Sequence, residues 1–394
     1  MLPLALMLAL TGCANPGPST PPQPWHVAPP TPAAAGVASG ITSDALPGMP
    51  PVSDPHNIYA EAGANMLTEV AKAAKPLIYV PHTKSGDVWV IDPATFTVVG
   101  KYPVGIELQH VVPSYDMRTL YATDDLGNTL TPFDPNTGKP GKRIPVIDPY
   151  NMYFAPDGSA AIVVAEARKR LIWYDPHTWR CQTETLTPDC AGIDHADFTP
   201  NGRIAVFTCE FDGRVAVVDV AARKLLRVID MPHRNRHMGP QDIKLAPDGS
   251  VFYIADSDQN GLWVLDGAAR KVLREIPTGM GAHGLYLDRE AKRLFVANRH
   301  DASVSVLNAY TGAKLTKWKI PGHATPDMGG LSGGRHPAVA VRPLQQGDLR
   351  PVHLGRSPGQ TDPSRQRAAR PVRMATDRPL LTRPHRHHPL NRAP

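Results

Sequence analysis

Cysteine is scarce: Cys13, Cys181, Cys190 and Cys209 are the four in 394 residues, too few for disulfides to frame the fold. Aromatic residues make up only 6% of the chain. There is no phosphate-binding glycine loop, no Gly-x-Ser-x-Gly elbow and no Cys-x-x-Cys-His haem attachment. The common signals of nucleotide, serine-hydrolase and c-type haem chemistry are therefore missing. Lysine is missing from Gly333 onward, where 12 Arg and 3 Asp give +9. The whole chain carries +6, so the first 332 residues carry −3. The basic character belongs to a tail and not to a nucleic-acid-binding face.

Proline (43) and glycine (32) are abundant, which suits many short strands joined by tight turns. Residues Leu2 to Leu10 form a short apolar run followed by Leu10-Thr11-Gly12-Cys13. That run reads as a secretion signal, too short to span a membrane as a mature helix. The Leu-Thr-Gly-Cys pattern resembles a bacterial lipobox, which implies cleavage before Cys13 and acylation of its thiol. Residues 1–12 are then the signal, and 13–55 a Pro/Ala-rich tether that buries too little to fold. Asn57 to Lys75 reads as one short helix with Ile58, Leu67 and Val70 on its apolar side.

From Leu77 a unit of about 42 residues recurs. Each copy has an apolar strand, a polar loop, a second apolar strand and then Asp or Asn. These residues are Asp92, Asp134, Asp175, Asp219, Asp266 and Asn308, spaced 42, 41, 44, 47 and 42 apart. Tyr79, Tyr121, Ile162, Val206, Tyr253 and Phe295 each precede theirs by 13 residues. Asp157-Gly158, Asn201-Gly202 and Asp248-Gly249 supply hairpin turns that favour positive φ. Four antiparallel strands per unit at this period predict an all-β fold, a β-propeller of four-stranded blades spanning residues 56–332. Six strand pairs are visible.

These repeats resemble the YVTN type of YncE-like proteins, and most nearly the seven-bladed propeller lipoproteins of high-GC Gram-positive bacteria. Segments that carry the resemblance include Gln109-His110-Val111-Val112-Pro113, Val163-Val164-Ala165-Glu166 and Gly281-Ala282-His283-Gly284-Leu285-Tyr286. It implies seven blades, closed by the C-terminal chain. After Ser332 the repeat stops, and residues 333–394 contain no Phe, Trp or Tyr. Read one nucleotide later, Ala338 to Asp348 can spell Leu-Trp-Leu-Ser-Gly-Arg-Tyr-Asn-Lys, a strand and loop of the expected kind. The tail is therefore expected to be an out-of-frame translation, with a genuine disordered basic tail as the alternative. The first strand pair, Ile78 to Asp92, is left without an inner partner strand.

The starts of the innermost strands hold His110, Asn151, His195, Asp242 and His283, and Asp327 has the matching place before the seventh blade. Such strands line the central channel, so a polar ring is expected at one mouth. It could hold a divalent metal or a small anion, or simply be a wet channel. Loops on that face carry Lys84, Asp124, Asp125, Glu166, Arg168, Glu210, Asp212, Asp256, Asp258, Arg299 and His300. A Cys190–Cys209 disulfide suits an exported protein and would leave Cys181 over; metal ligation by Cys190, Cys209 and His195 is the alternative. The expected role is a non-enzymatic binding module for a protein or small molecule, lipid-anchored at the outer face of the cell membrane. The resemblance also implies a metal-dependent, lactonase-like hydrolase as an alternative. A frameshifted product without function is the third.

Overall fold

The computed structural model describes residues 44–234, 237–322 and 324–331, with short strands at 338–339, 341–342 and 352–353. The signal, Cys13 and most of the tail lie outside the described residues. The chain divides into two units, Met1–Leu354 and Gly355–Pro394, and everything below concerns the first.

The repeat becomes six successive antiparallel sheets, the blades of a propeller. Blades 3 to 6 are complete four-stranded sheets (for example Asn151–Phe154, Ala161–Ala165, Arg170–Tyr174 and Cys181–Leu186 in blade 3). In blade 2 the outer strand is split into Lys139–Pro140 and Ile144–Pro145. Blade 1 has three strands, Ile78–His82, Asp87–Asp92 and Thr97–Pro103. Among the described residues, no inner strand pairs with Ile78–His82, as its sequence context predicts. Among the described residues after blade 6, Thr325–Pro326 pairs with Val341–Arg342, and Ala338–Val339 with Val352–His353.

The spaced Asp/Asn positions have a local cause. These side chains accept backbone N–H groups a few residues on, closing the turn to the outer strand. Asp92 accepts from Ala94 at 2.8 Å, Asp134 from Asn136 at 2.8 Å and Asp219 from Ala222 at 2.8 Å. Asp266 accepts from Ala268, Arg270 and Lys271 at 2.7–3.2 Å. At the hairpins, Gly158, Gly202 and Gly249 have φ of 73°, 69° and 69°, the left-handed geometry expected there.

The core is divided into layers between neighbouring blades. Leu171 and Trp173 of blade 3 meet Phe207 and Val218 of blade 4, for instance, and Tyr253 of blade 5 meets Leu294 and Val296 of blade 6. Five of the six residues placed 13 before the turn are buried in these layers. Tyr79 is only half-buried, in the blade that lacks its inner strand.

Two expectations need correction. Asn57 to Lys75 is not one helix. It contains a 3-10 turn, Ala60–Ala62, and a short α-helix, Glu69–Ala73, capped by Thr68 Oγ1. Gly63 leaves the first turn extended, and Asn65 has a φ of 66°, so the helical ladder cannot continue. The described part of the tether, 44–55, is also not free of the domain. Leu46 is 4% exposed in the layer between blades 3 and 4, and its N–H donates to the Asn201 carbonyl at 2.8 Å. One apolar side chain in a Pro-rich strap can dock without any periodicity.

Candidate functional site

The innermost strands do not keep a regular pleat. In four blades two inner residues face one on the neighbouring strand: Gln109 and His110, Asp194 and His195, Gln241 and Asp242, His283 and Gly284. Such bulges re-aim side chains and leave a backbone group unpaired. Threonine takes up the group in two of them. Thr123 Oγ1 accepts from the His110 N–H and Thr208 Oγ1 from the His195 N–H, both at 3.0 Å.

All six predicted ring residues come together around His195, which is 4% exposed. Its ring centroid lies 5.1 Å from that of His110 and 6.3 Å from that of His283. Its Nδ1 is 3.3 Å from Asn151 Nδ2, 3.4 Å from the Tyr153 hydroxyl and 3.9 Å from Asp242 Oδ1. His283 Nδ1 lies 3.2 Å from Asp327 Oδ1, the atom that accepts from Arg299 Nε at 2.6 Å. One ring residue and one neighbour of the ring double as ties between blades. Asp242 accepts the Leu285 N–H at 2.7 Å, and Tyr153, two residues after Asn151, accepts the Ala196 N–H at 2.9 Å.

Asp194 was missed by reading one residue per inner strand. It is 1% exposed, and neither carboxylate oxygen has a hydrogen-bond donor. Its Oδ1 lies 3.1 Å from His195 Nε2, close enough for an ion pair but out of line for a hydrogen bond. The sequence signal was available: two consecutive polar residues, Asp194-His195, inside an apolar strand.

The loop charges separate into two groups. Asp124, Asp212 and Asp256 are structural, accepting backbone N–H groups from Ile106 and Glu107, from Ala191, and from Gln259. Others interact across the mouth. Burial, then Asp125, Glu210 and Glu107, push Glu166 up to about 7. Asp194 is raised well above the usual carboxylate range by burial, then by Glu210, Asp242 and Glu166. Burial also raises Asp125 and Asp148. The positive charges facing them are already paired, Arg168 with Asp148 at 3.9 Å and Arg299 with Asp327 at 2.6 Å. Histidine moves the other way: burial takes His195 well below its ordinary value and His283 to about 3, so both are neutral.

A pH dependence of stability follows. Native Glu166 holds its proton to about 7, whereas an unfolded Glu loses it near ~4.3. The unfolded state then binds fewer protons, so stability falls as pH rises through this window. His283 acts oppositely, because unfolded histidine gains a proton below ~6.5 that the native residue refuses down to about 3. Above about pH 6.5 the histidine contribution is gone and the raised carboxylates remain. The melting temperature of the ligand-free protein is expected to fall between about pH 6.5 and 8, and Glu166→Gln to flatten the fall. Melts across that range check both.

The disulfide is formed: Cys190 and Cys209 are linked, with Cα atoms 5.0 Å apart. Their thiolates are thereby consumed, which removes the Cys190, Cys209 and His195 metal reading. Cys181 is not left over, since no cysteine among the described residues is free.

Comparison with known proteins agrees with this architecture. Residues 149–319 match the family described as "Lactonase, 7-bladed beta-propeller". The chain is a β-propeller. It also resembles the solved structure of hydrazine synthase from Kuenenia stuttgartiensis. That match has a TM-score of 0.57 and 16% identity, over 68% of this chain and 90% of the other. At that identity the likeness carries the fold alone. No curated protein matches the chain in sequence.

Proposed function

We propose that this propeller is a non-enzymatic binding module that takes a cationic ligand at the channel mouth. One observation carries the reading. Asp194, Glu166, Glu210 and Asp125 converge there and oppose one another's ionisation, while the nearby arginines are already paired. A concave site with that imbalance favours a cation and repels an anion. The notion of a small-anion site is therefore set aside.

The proposal also places the protein outside the cytoplasm, held at the outer face of the cell membrane by acylation of Cys13, which requires that the Cys13 thiol is not engaged in a disulfide. The Cys190–Cys209 bond suits an oxidising compartment. Labelled palmitate should enter the wild-type chain and not Cys13→Ala.

The binding test uses spermidine as an organic polycation, with acetate and phosphate titrated in parallel. Spermidine should bind the full chain, weaken with added salt and lose at least about tenfold in affinity in a Glu166→Gln/Glu210→Gln variant. Phosphate binding without spermidine binding would overturn the reading.

The match of residues 149–319 to a lactonase family supports a second reading, metal-dependent hydrolysis in the channel. Turnover of a simple lactone by the wild type but not by Asp194→Asn would favour it. Sequencing the gene across the codons for Gly329 to Arg342 decides the third. An inserted or missing base that restores the repeat makes the tail a lesion, and function then belongs to the repaired seven-bladed protein.

A further inference from the structure

We infer that His110, Asp194 and His195 form a binding site for a divalent transition-metal ion at the inner end of the channel mouth. This deepens the cationic reading above and rests on it.

The case begins with Asp194. A buried carboxylate with no hydrogen-bond donor is costly, and such groups are normally paired or bound to a metal. Its near neighbour is a ring nitrogen, 3.1 Å away and out of line for a hydrogen bond. Two ligand atoms of one ion stand in that relation: close to each other, and aimed at a third point. A ring nitrogen of His110 completes the set, the three atoms lying within 4.8 Å of one another. Donors about 2.1 Å from a shared ion lie at most about 4.2 Å apart, so binding requires a small inward rotation of the side chains.

The supports are in place. His195 Nδ1 faces Asn151 and the Tyr153 hydroxyl, which fix the ring with Nε2 toward Asp194. A partner on the far ring nitrogen is the usual way a histidine ligand is oriented. The site sits on strands, and each histidine's backbone N–H is held by a threonine. Two imidazoles and one carboxylate select a metal of the zinc, iron or nickel type over magnesium or calcium, which prefer oxygen ligands. Three protein ligands leave coordination positions open to the channel.

The test is Zn2+ uptake by the full chain, measured by metal analysis after dialysis, with the visible spectrum of a Co2+ form as a second readout. One equivalent should bind, and Mg2+ should not compete. Asp194→Asn keeps the size and shape of the buried carboxyl group and is expected to fold; it and His110→Ala should each weaken uptake at least about tenfold. Glu275→Gln, on the exposed outer strand Val272–Pro277 of blade 5, leaves the ligands intact and should keep the Co2+ spectrum. No stoichiometric uptake by the wild type overturns the inference. So does uptake unchanged in both ligand variants, which would place the metal elsewhere, the tail histidines His385, His387 and His388 being the first candidates. If spermidine still binds in either of those cases, the cationic reading stands without the metal site.

Discussion

Trp173→Ala is expected to destabilise the protein by about 3–5 kcal/mol, the range for truncating a fully buried large aromatic. Trp173 is 0% exposed and sits in blade 3, yet its ring fills the layer shared with blade 4, among Leu46, Phe207 and Val218. The surrounding side chains belong to strands fixed by their own ladders and cannot collapse into the space. The loss includes a hydrogen bond, since Trp173 Nε1 donates to Thr185 Oγ1 at 2.9 Å. It also includes the ring over which the Arg223 guanidinium stacks at 5.3 Å. Thr185 in turn donates to the Arg223 carbonyl at 2.6 Å, so the substitution loosens the tie between two blades rather than one sheet. A denaturant titration should show the midpoint falling. Trp173→Phe, which keeps most of the volume, should recover a large part of the loss.

Removing the Cys190–Cys209 bond with a double serine substitution is expected to cost about 3 kcal/mol. That is the closure entropy of a loop of this length, the two residues being 19 apart. The more informative effect is on the site. Cys190 lies just before the strand Ile193–Phe198 that carries Asp194 and His195, and Cys209 just before Glu210. The bond thus holds two of the mouth carboxylates, Asp194 and Glu210, at a fixed separation. Reduced protein, or the double serine variant, should bind spermidine more weakly than the oxidised wild type at a temperature where both are folded. Equal affinity would mean that the bond stabilises the blade without organising the mouth.

The two effects show which parts of the molecule the sequence could reveal. The repeat was legible because one chemical need recurs in every blade. A turn closed by Asp or Asn and a buried residue 13 positions earlier are local requirements, repeated in the same order. The ring His110, Asn151, His195, Asp242, His283 and Asp327 followed from the same register. Asp194 did not, because it depends on a bulge, and a bulge is set by pairing with the neighbouring strand rather than by local pattern. Leu46 escaped for a related reason. A single docking residue in a Pro-rich segment has no periodicity to detect, and only the layer between blades 3 and 4 gives it a place. The helix over 57–75 was misread because one-sided apolar spacing was weighed above Gly63 and Asn65, which interrupt the backbone. Among the described residues blade 1 lacks an inner strand, as its sequence context predicts, and the edge Ile78–His82 left without a partner strand there is where this chain should be most prone to associate.

The central claim is that the channel mouth, and no outer surface of the blades, is where ligand binds. Amide hydrogen exchange of the full-length protein with and without saturating Zn2+ or spermidine tests it directly. Slowed exchange should be confined to the inner strands Leu108–Pro113, Ile193–Phe198 and Ala282–Leu287 and to the loop at Glu210. Protection of the outer strands instead, such as Lys224–Asp230 or Lys314–Lys319, or no change under conditions where binding is measured, would contradict the account.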